Sequence, residues 1–232
     1  MFYNTNISQL EGEEFLNEGQ FNYWIFSYGG CGTNYLRKIF NIFKIKNRSI
    51  INRNTCNLIK SVHLHYPPHI KNNNFLAVYI FGDPYLSLYS IFRRKLYKTI
   101  NVLAGKKIYN KKKKVNYRKF IKELSSDTLR LKSQFMNWFN SDVHYPILFI
   151  NYSKLDKSLL NTIGEMLKKD FKIEMNMEEI ENLEKRKSTL NNISKDDLRN
   201  LKKVYGIFRE YLDELPDYWI KYPKKKNINI EN

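Results

Sequence analysis

The stretch Tyr23-Trp-Ile-Phe-Ser-Tyr-Gly-Gly-Cys-Gly-Thr-Asn-Tyr-Leu36 decides how the chain is read. Tyr23 to Ser27 is a short apolar run with strand character. Three glycines follow within four residues, and Leu36, Ile39, Phe40 and Phe43 then recur at helical spacing. The pattern predicts a strand, a glycine-rich turn, and a helix from about Thr33 to Lys44. Unpaired N–H groups at such a turn, together with the helix dipole, favour an anion. Gly29, Gly30 and Gly32 let the main chain curl closely around it. Thr33 and Asn34 are candidates to add a hydroxyl and an amide to a phosphate cradle, or simply to cap the helix. Cys31 reads as a small residue in a tight turn. The G-x-x-x-x-G-K-[ST] pattern is absent, and no lysine stands where that motif places one on a phosphate.

Outward from this turn, strands and helices alternate. Leu58 to His65 reads as a second strand ending at Tyr66-Pro-Pro68. Phe75 to Phe81 is a continuous apolar run, the pattern of a strand buried on both faces. Gly82-Asp83-Pro84 then turns into a helix, with Asp83 as N-cap and Pro84 at the first helical position. A long amphipathic segment carries Phe120, Leu124, Leu131, Phe135 and Trp138. Pro146 to Ile150 is another buried-type strand, and Leu159 to Leu167 a further helix. Ser194 to Asp197 resembles a capping box opening the last long helix. The expected fold is α/β, a parallel central sheet flanked by helices with right-handed crossovers. Ligands of such sheets bind beyond the carboxyl ends of the strands, where both glycine-containing turns would lie.

The chain has 232 residues, 42% hydrophobic and 15% aromatic, enough for a core in one large domain. That domain is expected over 21–222, after a loosely docked lead-in at 1–20 and before a basic, flexible tail at 223–232. The net charge of +17 predicts attraction to polyanions and leaves nucleic acid, acidic glycans and nucleotides open as partners. Lys111 to Lys114 and Lys224 to Lys226 concentrate part of it. Two cysteines, Cys31 and Cys56, are too few for a disulfide framework. With no signal-peptide pattern and no membrane-length apolar run, a cytoplasmic location is expected.

Several segments in this order resemble the sulfotransferase family, which uses 3′-phosphoadenylyl sulfate (PAPS) on a P-loop-like parallel sheet. Ser27 to Leu36 is similar to that family's 5′-phosphosulfate loop, S-Y-P-K-S-G-T-T-W-L, matching at Ser27, Tyr28, Gly32, Thr33 and Leu36. Val78 to Ser90 resembles its 3′-phosphate segment, with Pro84 and Ser90 in place. His63-Leu64 is similar to T-H-L-P, whose histidine is the general base, and His65 is the alternative. Phe149 to Leu155 looks like the strand and Y-E-D-L turn, and Arg186-Lys187-Ser188 like the late R-K-G element. The family's loop lysine is replaced by Gly30, and its 3′-phosphate arginine by Gly82. Arg93, Arg94, Lys95 and Lys60 are the cations that could compensate.

The resemblance implies sulfuryl transfer from PAPS to an acceptor hydroxyl, a glycan among the candidates, with adenosine 3′,5′-bisphosphate as product and no metal. A catalytically lapsed binder of nucleic acid or acidic glycan is the alternative. A P-loop kinase is the third reading, disfavoured because no Walker lysine is present.

Overall fold

The computed structural model describes residues 5–40, 55–109, 116–181 and 189–224. The centre is an open, mostly parallel sheet of four strands in the order β1-β2-β3-β4. These are β1 (Tyr23–Ser27), β2 (Leu76–Phe81), β3 (Ile147–Asn151) and β4 (Tyr218–Lys221). The first three are parallel, and β4 closes the edge antiparallel to β3. Every residue of β2 and β3 is buried, which is why both read as unbroken apolar runs. In register, Ser27 stands beside Ile80, and Phe81 beside Asn151. The turns leaving β1, β2 and β3 therefore emerge side by side at one end of the sheet.

Ten α-helices are described. They are α1 (Thr5–Gly19), α2 (Thr33–Ile39), α3 (Thr55–Val62), α4 (Pro84–Arg93), α5 (Tyr97–Ala104), α6 (Tyr117–Lys122), α7 (Leu131–Asn140), α8 (Lys157–Met166), α9 (Met177–Glu181) and α10 (Lys195–Glu214). Asp83 caps α4, its carboxylate accepting from Tyr85 N at 2.7 Å and Leu86 N at 3.1 Å. Ser194 caps α10 by accepting from Asp197 N at 3.2 Å.

Three expectations are corrected. The segment Leu58 to His65 is not a strand: it forms the end of α3 and the bend after it. Its apolar positions Ile59 and Val62 are three apart, a spacing that serves a helix as well as a strand when the run is short. The lead-in is not loosely docked, because α1 packs along α3 and buries Phe15 and Leu16. The amphipathic segment around 120–138 is two helices, broken where Asp127 accepts from Leu131 N at 2.8 Å and Ser133 N at 2.9 Å. Lys111 to Lys114, Lys225 and Lys226 lie outside the described residues. No helix among those described is long and apolar enough to cross a membrane.

Aromatic packing fills the sheet faces. Trp138 on α7 lies 4.5 Å from Phe26 and 4.9 Å from Tyr79, tying α7 across β1 and β2. On the β4 edge Trp219 stacks on Phe149 at 4.6 Å. Buried rings of this size contribute most of the apolar area that holds such a sheet.

Candidate functional site

Gly29, Gly30 and Gly32 all adopt left-handed backbone, with φ of 85°, 75° and 78°. A Cβ on Gly30 would stand 2.2 Å from the Ser87 carbonyl oxygen, so the turn rests directly on the α4 backbone. A Cβ on Gly32 would enter the Tyr152 ring at 2.0 Å. The position where the resembled family carries lysine thus has neither the backbone conformation nor the room for a side chain.

Ser27 holds this turn from below. Its Oγ pairs with Thr33 Oγ1 at 2.7 Å and accepts from Gly29 N at 3.2 Å. The N–H groups of Gly30, Gly32, Thr33 and Asn34 have no partner within the described residues. Gly30, Gly32 and Thr33 are half-buried and Asn34 is exposed, so these donors face water or a ligand. Successive free N–H groups around left-handed residues form an anion-binding concavity.

His63 sits against the same turn. Its Nδ1 is 2.8 Å from the Ser27 carbonyl, an acceptor, so Nδ1 carries the proton and Nε2 keeps its lone pair. Burial lowers its pKa to about 4, partly opposed by that hydrogen bond and reinforced by the charges of Arg37, His65 and Arg94. His65 follows the same rule, with Nε2 donating to Leu103 O at 2.9 Å. Burial and then the Arg130 charge bring it also to about 4. Both imidazoles are neutral at pH 7. They line one shallow cleft with Lys60, Gln9 and Ser8, rather than sharing a strand face.

The remaining expected residues divide. Arg94 follows α4, with Nε donating to Ser90 O at 3.3 Å. Its charge acts on Cys31, His63 and Tyr152, so it supplies positive potential at the turn. Ser90 is buried beneath it. Cys31 is buried, and desolvation pushes its thiol up to about 12, which makes it an inert packing residue. Lys60 is committed to an ion pair with Glu11 on α1. Arg186 and Lys187 lie outside the described residues.

Four further contributors make contacts that no sequence pattern revealed. Tyr28 reaches across to the second turn, where its hydroxyl accepts from Gly82 N at 2.8 Å and donates to Gly82 O. Tyr152 walls Gly32, and Ser153 Oγ accepts from Asp83 N at 2.9 Å. Gln134 on α7 donates to the Ser27 carbonyl at 3.2 Å and to Leu64 O at 2.7 Å, bracing the His63 segment. The signal for Tyr152 and Ser153 was their place just after a buried strand, in the segment that resembles the Y-E-D-L turn. Tyr28 matched the resembled loop by residue type without revealing its contact, and Gln134 gave no signal, since a polar tip on an apolar element reads as ordinary packing. Compared with known proteins, the chain matches no family model, no characterised protein and no solved structure.

Proposed function

We propose that the glycine-rich turn binds a nucleotide phosphate and that the chain transfers a sulfuryl group from PAPS to an acceptor hydroxyl, on a sulfotransferase-like variant of the α/β sheet. The observation that carries this reading is the junction at Ser27. Its hydroxyl organises the N–H groups of the turn and its carbonyl orients His63, so anion cradle and base share one anchor.

The residues present fit the donor's phosphosulfate end. Free N–H groups at Gly30, Gly32, Thr33 and Asn34 match phosphate or sulfate oxygens, and Arg94 brings the charge that Gly30 has no room to carry. When bound, PAPS supplies an activated sulfuryl group and departs as adenosine 3′,5′-bisphosphate. His63 Nε2 takes the proton of the acceptor hydroxyl. Its neutrality at pH 7 leaves the lone pair available throughout the physiological range. Oxyanion-type stabilisation falls on backbone donors fixed before the reaction, with no reorganisation cost.

The test is ligand-dependent melting. Adenosine 3′,5′-bisphosphate at about 100 times its Kd stabilises by about 2.7 kcal/mol, which for a domain of this size is a rise of roughly 5–10 °C. No shift at millimolar ligand overturns the reading. A larger rise with ATP and magnesium replaces it with phosphoryl transfer.

A further inference from the structure

Residues 84–122 contain 13 Lys and Arg and not one Asp or Glu, so this sixth of the chain holds most of the net charge of +17. Among the described residues, Arg93, Arg94, Lys95, Lys98, Lys106 and Lys107 are all exposed. So are Arg118, Lys119 and Lys122 on α6. Of these nine, only Lys119 has an acidic partner among the described residues, Glu123 at 3.9 Å. Some cations elsewhere do have acidic partners, as Lys154 has Asp217, Arg209 has Asp83 and Lys224 has Asp142. A surface this basic and this unpaired raises self-repulsion, which a polyanion relieves.

The charges are gathered by packing as well as by sequence. Phe92, at the end of α4, lies 6.3 Å from Tyr109, 5.7 Å from Tyr117 and 4.6 Å from Phe120. Arg93 and Arg94 follow Phe92, Lys106 and Lys107 precede Tyr109, and Arg118 follows Tyr117. Asn101 secures the 106–109 segment, accepting from Ile108 N at 2.9 Å and donating to Tyr109 O at 2.8 Å. One aromatic cluster therefore carries three basic segments as a cap. The cap adjoins the glycine-rich turn, because Gly29 faces Leu103, Ile91 and Thr99 while Gly30 rests on Ser87.

We infer that this cap on α4, α5 and α6 is the docking surface for an acidic polysaccharide that presents its hydroxyls to the turn. Repeated carboxylates or sulfates meet the lysines, and the chain's ring hydroxyls supply the acceptor. Identifying the docked chain as acceptor rests on the proposed sulfuryl transfer; the binding itself does not. Base stacking is not provided for. Tyr89, Tyr97, Tyr109 and Tyr117 are half-buried and Phe92 and Phe120 are buried, so the described part of the cap exposes no ring as a platform. Six of the nine exposed cations are lysines, point charges suited to spaced anions rather than to forked base-edge contacts.

The experiment measures the affinity of a fluorescent heparin oligosaccharide for the full chain across a salt series. Lys95→Glu, Lys98→Glu, Lys106→Glu and Lys107→Glu combined are expected to weaken binding roughly 10- to 100-fold. A control with the same change in net charge combines Lys157→Glu, Lys168→Glu, Lys169→Glu and Lys172→Glu, all exposed and on or just after α8, which packs against α9. It is expected to stay within about threefold of the unaltered chain near physiological salt, where distant charges are screened. Equal loss in both variants overturns the docking surface, since net charge alone would then explain binding. Displacement of the oligosaccharide by a lower concentration of duplex DNA or single-stranded RNA of equal charge also overturns it. Melting with adenosine 3′,5′-bisphosphate separates the two readings and checks folding. An unaltered nucleotide shift in the cap variant alongside lost oligosaccharide binding supports the cap; a missing shift in every protein, with oligosaccharide binding still confined to the cap, defeats only the nucleotide reading.

Discussion

The turns after β1 and β2 contain glycine at the same height of the sheet and solve opposite problems. After β2, backbone donors are consumed by the protein itself. Gly82 N is bound by the Tyr28 hydroxyl, Asp83 N by Ser153, and Tyr85 N and Leu86 N by the Asp83 carboxylate. Arg209 Nε closes on the same carboxylate at 2.7 Å. After β1, the donors of Gly30, Gly32, Thr33 and Asn34 have no partner among the described residues, and the backbone pays for its shape with three left-handed residues. A capped helix start needs no ligand; an uncapped one presents donors in search of an acceptor. The contrast makes the first turn the candidate site and the second a closed piece of scaffold.

The sharpest way to break that contrast is Gly30→Ala. The new Cβ meets backbone, Ser87 O at 2.2 Å, in a conformation that L side chains avoid. Strain of about 1–3 kcal/mol and overpacking of similar size combine to roughly 4 kcal/mol of lost stability. Denaturant unfolding measures it. A near-neutral outcome would mean that the turn is loose enough to accept a side chain, and therefore not a preformed cradle.

Acid tests the same turn through His63. Burial holds its pKa near 4, against 6.5 in the unfolded chain, so the unfolded chain takes the extra proton first as the pH falls. Stability from neutral His63 is complete above about 6.5 and is lost between there and about 4, up to roughly 3 kcal/mol. His63→Gln keeps a donor for the Ser27 carbonyl but cannot titrate. Its stability should fall less steeply over that window, by about that amount, leaving the His65 share in place. Parallel pH profiles for the two proteins would show that His63 is hydrated rather than packed into the turn.

Much of this difference was written in residue types. Alternating strands and helices, the buried runs at Phe75–Phe81 and Pro146–Ile150, and the Asp83 cap are local patterns, and local patterns survive folding. The strand expected at Leu58 to His65 failed because a short segment with mixed apolar and polar positions fits either period, and packing against α1 decided for helix. The antiparallel β4 was hidden for a related reason: Tyr218 to Lys221 is short and only half-buried, so it lacks the alternation of a one-sided strand. At the site, the glycines and His63 were legible, while the contacts of Tyr28, Tyr152, Ser153 and Gln134 were not. Their roles depend on contacts 54 to 107 residues apart or on a ring filling the space above a glycine, and a linear pattern carries no record of either.

The smallest expected effect bears on the comparison from the other side. Gly82→Ala places a methyl 3.2 Å from Ser153 Oγ, 3.5 Å from Tyr152 Cβ and 3.6 Å from Cys31 Cβ, with no positive φ to oppose it. The Ser153 hydroxyl is a movable tip, so a shift of a few tenths of an ångström relieves the closest contact. Ala also restricts the unfolded chain, a gain of about 0.4–1 kcal/mol that offsets the crowding. The net change should lie within about 1 kcal/mol of zero, and nucleotide-dependent melting should be unaltered. Gly82 is thus glycine by tolerance, whereas Gly30 is glycine by necessity. If Gly82→Ala proved as damaging as Gly30→Ala, the two turns would be equally constrained, and open backbone donors would be the only property left to tell the site from the scaffold.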